Sequence, residues 1–196
     1  RYSMNPDGTQ VSHLYGAHSH ATGTGGSEVQ FIRPHESAGG EVIVLARAFT
    51  DTFDGGDPQR INVASYIDNT LAANPASLLT GPAQLSASNN TVRTDPGLSL
   101  GGRYNSIVPF LDGTNRALVS YSLCFVEVLD PATQTTREYV CNDSRVNLND
   151  PNTSEIPPRY GVFVLNISNR TLTVITPPAA NTYYTCLLYT SPSPRD

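Results

Sequence analysis

The chain has 196 residues and a formal net charge of −5, with no basic run, so it can hold a sizeable core and is a poor match to nucleic acid. Only 15% of residues are charged, glycine and proline number 15 each, and no apolar stripe of period 3.6 lasts beyond about three turns. That excludes a helical bundle, and no apolar run approaches the roughly 18 residues of a membrane helix.

All 12 cationic side chains are arginine, which reads as the codon bias of a GC-rich genome. The chain opens on Arg1 rather than Met, so a fragment is expected, with no signal peptide to read. At the other end Cys186 to Asp196, CLLYTSPSPRD, resembles a translated sequencing adapter and has no turn tying it to the last strand. It is set aside as a non-native tail, which leaves two cysteines.

In chain order, Arg1 to Met4 and Gln10 to Tyr15 read as strands around Asn5-Pro6-Asp7-Gly8-Thr9. Pro6 presets φ and Gly8 accepts φ > 0, so the five residues reverse the chain. A polar Gly-rich connection (residues 17–27) precedes the strand Glu28 to Arg33, a turn from Pro34 to Gly40, and the apolar strand Glu41 to Phe49. Near-continuous hydrophobicity there predicts burial on both faces. After the loop Thr50 to Pro58 comes Gln59 to Ile67, with Ile61, Val63, Ser65 and Ile67 on one face, and a short outer strand over Ala76 to Thr80. Gly81 to Gly102 reads as an irregular surface connection.

The pattern then repeats. Arg103 to Phe110 and Arg116 to Ser122 flank an Asp112-Gly113 turn, Leu123 to Cys141 is an extra hairpin, and Asn142 to Pro158 is a polar loop. Arg159 to Ile167 and Thr171 to Ile175 flank Ser168-Asn169-Arg170. Four-stranded units in series are the sequence form of a β-propeller, with a β-sandwich as the alternative. The expected fold is all-β: a partial propeller over residues 1–185, with a half blade at 1–16, a blade at 28–80, and a blade at 103–175 carrying an inserted hairpin at 123–141.

Few residues suggest chemistry. If Asp130 faces Thr135 around a four-residue loop, Cys124 faces Cys141. A non-hydrogen-bonded pair has Cα atoms about 4.5 Å apart, within reach of a disulfide worth roughly 3 kcal/mol. A disulfide implies an oxidising compartment; two buried thiols or a metal pair are the rival readings. No Cys-x-x-Cys-His is present, so no c-type haem attaches to this segment. His18 and His20, two apart, are weak metal candidates, with His13 or Asp7 as further ligands; as polar loop residues they need no metal. Asp51, Asp54 and Asp57 lack the closing acid of a calcium loop and read as a solvated connection, the Gly23 to Gly26 run does not open a helix, and Ser120-Tyr121-Ser122 is no nucleophile elbow. No catalytic, cofactor-binding or metal set stands out.

The turn Met4-Asn5-Pro6-Asp7-Gly8-Thr9 is similar to one that recurs in TolB-type propellers. The blocks LYGAHSHATGTG (14–25), GGRYNSIVPFLDGTNRALVSYSLC (101–124) and PPRYGVFVLNI (157–167) together resemble the middle domain of bacterial proteins related to the hydrazine synthase alpha subunit. The resemblance implies a periplasmic or other extracytoplasmic propeller acting as scaffold or protein-interaction module, with a lipid anchor on the intact protein as an option. Its partner is a neighbouring domain or protein, and nucleic acid and a membrane span are not expected. In that family a domain resembling c-type cytochromes follows, so the alternative is part of a multidomain haem oxidoreductase. Neither haem nor catalytic residues transfer to this segment, so whether the intact protein is an enzyme stays open.

Overall fold

The computed structural model describes residues 2–13, 29–63, 84–179, 182 and 184. Among them the chain forms thirteen strands, one 3-10 turn and no α-helix, and every ladder is antiparallel. The all-β expectation holds.

The opening hairpin pairs β1 (Tyr2–Ser3) with β2 (Ser12–His13) and adds no further strand among the described residues. A four-stranded meander follows, in chain order: β3 (Val29–Ser37), β4 (Glu41–Ala48), β5 (Asp57–Asn62) and β6 (Gln84–Ser86). β3 does not stop at Arg33. It absorbs Arg33 and Pro34 in a bulge, where the register shifts between Ile32 and His35 and Arg33 takes φ 52°. Proline lacks a donor, and an edge strand tolerates it at a bulge. The reversal narrows to the 3-10 turn Ala38–Gly40.

β4 is apolar on both sides: Ile43, Val44 and Leu45 are fully buried and Ala46 nearly so. β5 starts two residues earlier than the sequence suggests and ends at Asn62, before Val63; the rest of its expected run, residues 64–67, lies outside the described residues, as does Ala76 to Thr80. The fourth strand, β6, instead falls in the stretch read as a surface connection. The rest of that stretch is partly interior too, with Ala87, Ser88 and Ser99 buried. Its serines supply hydrogen bonds that a composition count cannot see: Ser99 Oγ accepts from Arg93 N at 2.9 Å and donates to Gly102 O at 2.7 Å.

The second half contains β7 (Arg103–Pro109), β8 (Arg116–Ser122), β9 (Phe125–Asp130), β10 (Thr135–Val140), β11 (Thr153–Glu155), β12 (Gly161–Asn166) and β13 (Thr171–Thr176). Strands β7, β8, β12 and β13 make a second four-stranded meander, and β10-β9-β11 make a separate three-stranded sheet inserted after β8. The insertion is larger than a hairpin, because part of the loop read as polar connection returns as β11 along β9.

The two meanders share one core. Ile43 and Leu45 of the first pack with Tyr104, Ile107, Ala117, Val119, Tyr121, Leu165 and Ile167 of the second. The Tyr104 and Tyr121 rings lie 4.6 Å apart, and Phe163 meets Tyr121 edge-on at 5.6 Å. A β-bridge ties them as well: Gly56 N donates to Tyr104 O at 2.8 Å and Tyr104 N to Gly56 O at 3.0 Å. Only glycine fits there, since a Cβ would run into the Ala46 carbonyl.

One turn recurs. Asp7 Oδ1 accepts from Thr9 N (2.9 Å) and Thr9 Oγ1 (2.7 Å). Asp112 Oδ1 accepts from Thr114 N (3.0 Å) and Thr114 Oγ1 (2.5 Å). In both, the central glycine and the residue after the threonine have positive φ: Gly8 83° and Gln10 54°, Gly113 77° and Asn115 52°. Asn169-Arg170-Thr171 repeats the same two side-chain bonds at 3.2 and 2.7 Å. Each is an Asx turn closing a hairpin.

Candidate functional site

Polar side chains gather where the β4–β5 loop, residues 87–102, the start of β7 and the end of β11 converge. Arg103 lies at the centre and is 2% exposed. It opens β7 directly after Gly101-Gly102, and the tight approach of Gly102 to the Ser122 carbonyl turns the chain into the strand. Nη1 of Arg103 pairs with Asp51 Oδ2 from the β4–β5 loop. Nη2 donates to Gly97 O at 2.8 Å and reaches Glu155 Oε1 at 3.3 Å. Burial pushes the Glu155 carboxyl above its ordinary range, and the Arg103 charge pulls it back. The sequence reading missed this cluster. Its signal was an arginine heading the strand Arg103–Pro109, which needs an anionic partner if that strand is buried.

A second buried carboxyl begins β5. Asp57 is 5% exposed and accepts from Ser86 Oγ at 3.0 Å and from Gln59 Nε2. Burial pushes it up to about 7, against the pull of those two donors and of the Arg170 charge. Close by, Asn90 Nδ2 donates to the Tyr104 hydroxyl at 3.0 Å and the Tyr121 hydroxyl donates to Gly101 O at 2.9 Å. Burial raises both phenols, Tyr121 to about 12. None of these groups is poised as a nucleophile beside a base; they satisfy one another inside a sheet interface.

The three aspartates read as a solvated connection are corrected by this geometry. Only Asp54 is exposed, paired with Arg47 at 2.6 Å, whereas the carboxylate of Asp51 and the whole of Asp57 are buried and face different partners. Among the described residues no group of three or more His, Cys, Asp or Glu is arranged to hold a metal. His18 and His20 lie outside the described residues. Asp7 is engaged with Thr9 in its own turn.

Cys124 and Cys141 stand at disulfide distance, with Cα atoms 5.4 Å apart. The β9–β10 register puts Asp130 opposite Thr135, as expected. The phase differs: Cys141 N donates to Cys124 O at 3.0 Å, so the cysteines occupy a hydrogen-bonded pair, whose Cα separation is the wider one. Both are buried against Val126, Leu98, Tyr139 and Val146. Two cysteines bonded to each other offer no thioether attachment, so the described residues do not fit a c-type haem.

No protein-family model, curated protein or solved structure matches this chain.

Proposed function

We propose that this chain is a segment of an extracytoplasmic β-propeller, built as a scaffold that positions a neighbouring domain or protein partner. The observation that carries this reading is apolar surface on both faces of both meanders. In the first, Ile43 and Leu45 point one way while Val44 and Ala46 point the other, all buried. In the second, the row Ile107–Val119–Phe163 faces the shared core, and the adjacent row Val108–Leu118–Val164 faces away from it. The outward faces of a two-layer sandwich alternate to polar residues; stacked blades are apolar on both sides. The chain-ordered strand sequence within each meander and the recurring Asp-Gly-Thr turn favour repeated units in the same way. The blocks at 14–25, 101–124 and 157–167 point to relatives of the hydrazine synthase alpha subunit, and the Cys124–Cys141 pair suits an oxidising compartment.

The test is a structure of the protein expressed from its complete reading frame. Further four-stranded sheets stacked on Val108, Leu118 and Val164 around a common axis are expected. A two-layer sandwich with that row in water would overturn the reading. Cys-x-x-Cys-His motifs in the same frame would assign the scaffold to a haem domain, and their absence to a protein partner.

A further inference from the structure

The sheet β9–β11 leaves the rest of the molecule through Ser122-Leu123-Cys124 and returns through residues 156–160, which include Pro157 and Pro158. Its strands pair with one another and with no strand of the two meanders. The bonds at its root, Cys124–Cys141 and Ile156 N to Phe125 O at 3.2 Å, both lie within this lobe and do not fix its orientation on the body. The contacts that cross the joint are therefore the ones that decide the orientation. Leu98 of the body gives an apolar one against Cys124, Val126 and Cys141, and Arg159 N donates to Ser122 Oγ at 2.8 Å between the two linkers, which leaves the charged contacts to fix the docked angle.

Arg159 meets Glu138 of β10 at 2.6 Å, but both side chains are well exposed, where an ion pair holds little. Arg103 crosses in the interior, joining β7 to Asp51 on the body side and to Glu155 on the lobe side. Its two halves are unequal: the Asp51 side chain is 3% exposed and that of Glu155 22%. The joint is also incompletely filled. A cavity of about 10 Å³ lies among Arg103, Cys124, Phe125, Glu155 and Ile156, and the buried Arg103 Nε has no hydrogen-bond partner. Other charges on the packed elements are already engaged, Arg93 with Asp95 at 2.6 Å and Arg47 with Asp54 at 2.6 Å, so neither arginine competes for Glu155.

We propose that Arg103 is a latch: it docks the β9–β11 lobe on the two meanders by bridging Asp51 and Glu155, and release of Glu155 lets the lobe swing on its two linkers while the body stays folded. Opening returns Glu155 to water and leaves Arg103 with Asp51, so no buried charge is stranded. That separates this pair from an ordinary buried bridge, where losing one partner leaves an uncompensated ion.

Distance measurement between spin labels tests it on the full chain, with Cys186 replaced by serine and labels at Ala132→Cys on the lobe tip and Leu111→Cys on the body. Both positions are exposed, and the native disulfide is kept. The parent is expected to give one narrow distance. Glu155→Gln, which keeps shape and removes charge, and Arg103→Lys, which keeps charge and shortens the fork, are each expected to add a second distance in roughly a tenth or more of molecules. Hydrogen exchange in β4 and β8 is expected to stay at the parent rate. The latch is overturned if both variants keep the parent distribution. It is equally overturned if β4 and β8 loosen along with the lobe, since Arg103 would then be a common core bridge.

Discussion

At the residue scale, Asp57 carries a measurable cost. Its carboxyl titrates near 7 in the folded chain and near 3.8 when unfolded, so between those values the folded state holds a proton that the unfolded state has lost. Stability contributed by this group is therefore highest below about pH 4 and falls as pH rises to about 7, by about 4 kcal/mol in all. Asp57→Asn keeps the shape and cannot ionise. Its urea midpoint is expected to match the parent near pH 4 and exceed it at pH 8; a constant offset between the two across this range would show that Asp57 is not the titrating group. A second residue-scale outcome concerns Gly113. A Cβ there meets nothing within 4 Å, so Gly113→Ala tests the positive φ alone and is expected to cost about 1 kcal/mol in chemical denaturation. Gly56→Ala tests the opposite case, an unstrained φ with a Cβ that collides with the Ala46 carbonyl, and is expected to cost more.

At the scale of elements, the β9–β10 hairpin is pinned at its open end by Cys124 and Cys141, which close a loop 17 residues apart in sequence. Reduction is expected to lower stability by about 3 kcal/mol, read as a shift in urea midpoint with and without reductant. A tryptic pair joined through these cysteines should separate on reduction, and freely alkylated thiols in exported protein would exclude the bond. This hairpin also shows what the sequence makes legible. Register follows from a turn and a side-chain period of two, so placing Asp130 opposite Thr135 brings every later pair with it. The hydrogen-bonding phase depends on which backbone groups the turn aligns, and that left no mark in residue types. β4 was readable because burial on both faces writes an unbroken apolar run. β6 and β11 were not, since three-residue strands such as Gln84–Ser86 and Thr153–Glu155 take their place from neighbours rather than from composition. The Arg103 cluster escaped for a related reason: Asp51, Arg103 and Glu155 are each 52 residues from the next, and no local spacing announces such a meeting.

At the scale of the whole molecule, the question is whether the two meanders are separate units or one. Ile43 and Leu45 of the first are buried in a cluster whose other large members, Tyr104, Ile107, Val119 and Leu165, belong to the second. Removing Leu45 takes contacts from both sheets at once, and a truncation at such a site costs about 2–5 kcal/mol. If the shared core makes the pair cooperative, Leu45→Ala raises hydrogen exchange in β8 and β12 by about the same factor as in β4 and β5, while the β9–β11 lobe, which contributes nothing to that cluster, loses little protection beyond the global limit. If the sheets were autonomous, only β4 and β5 would loosen. Leu118→Ala supplies the contrast, because it removes bulk from the face turned away from the first meander at a position that is only part-buried here. The proposed propeller would place a further sheet on that face, so on that reading the same substitution is expected to cost more in the complete protein than in this segment, and equal costs in the two would remove the case for a stacked neighbour.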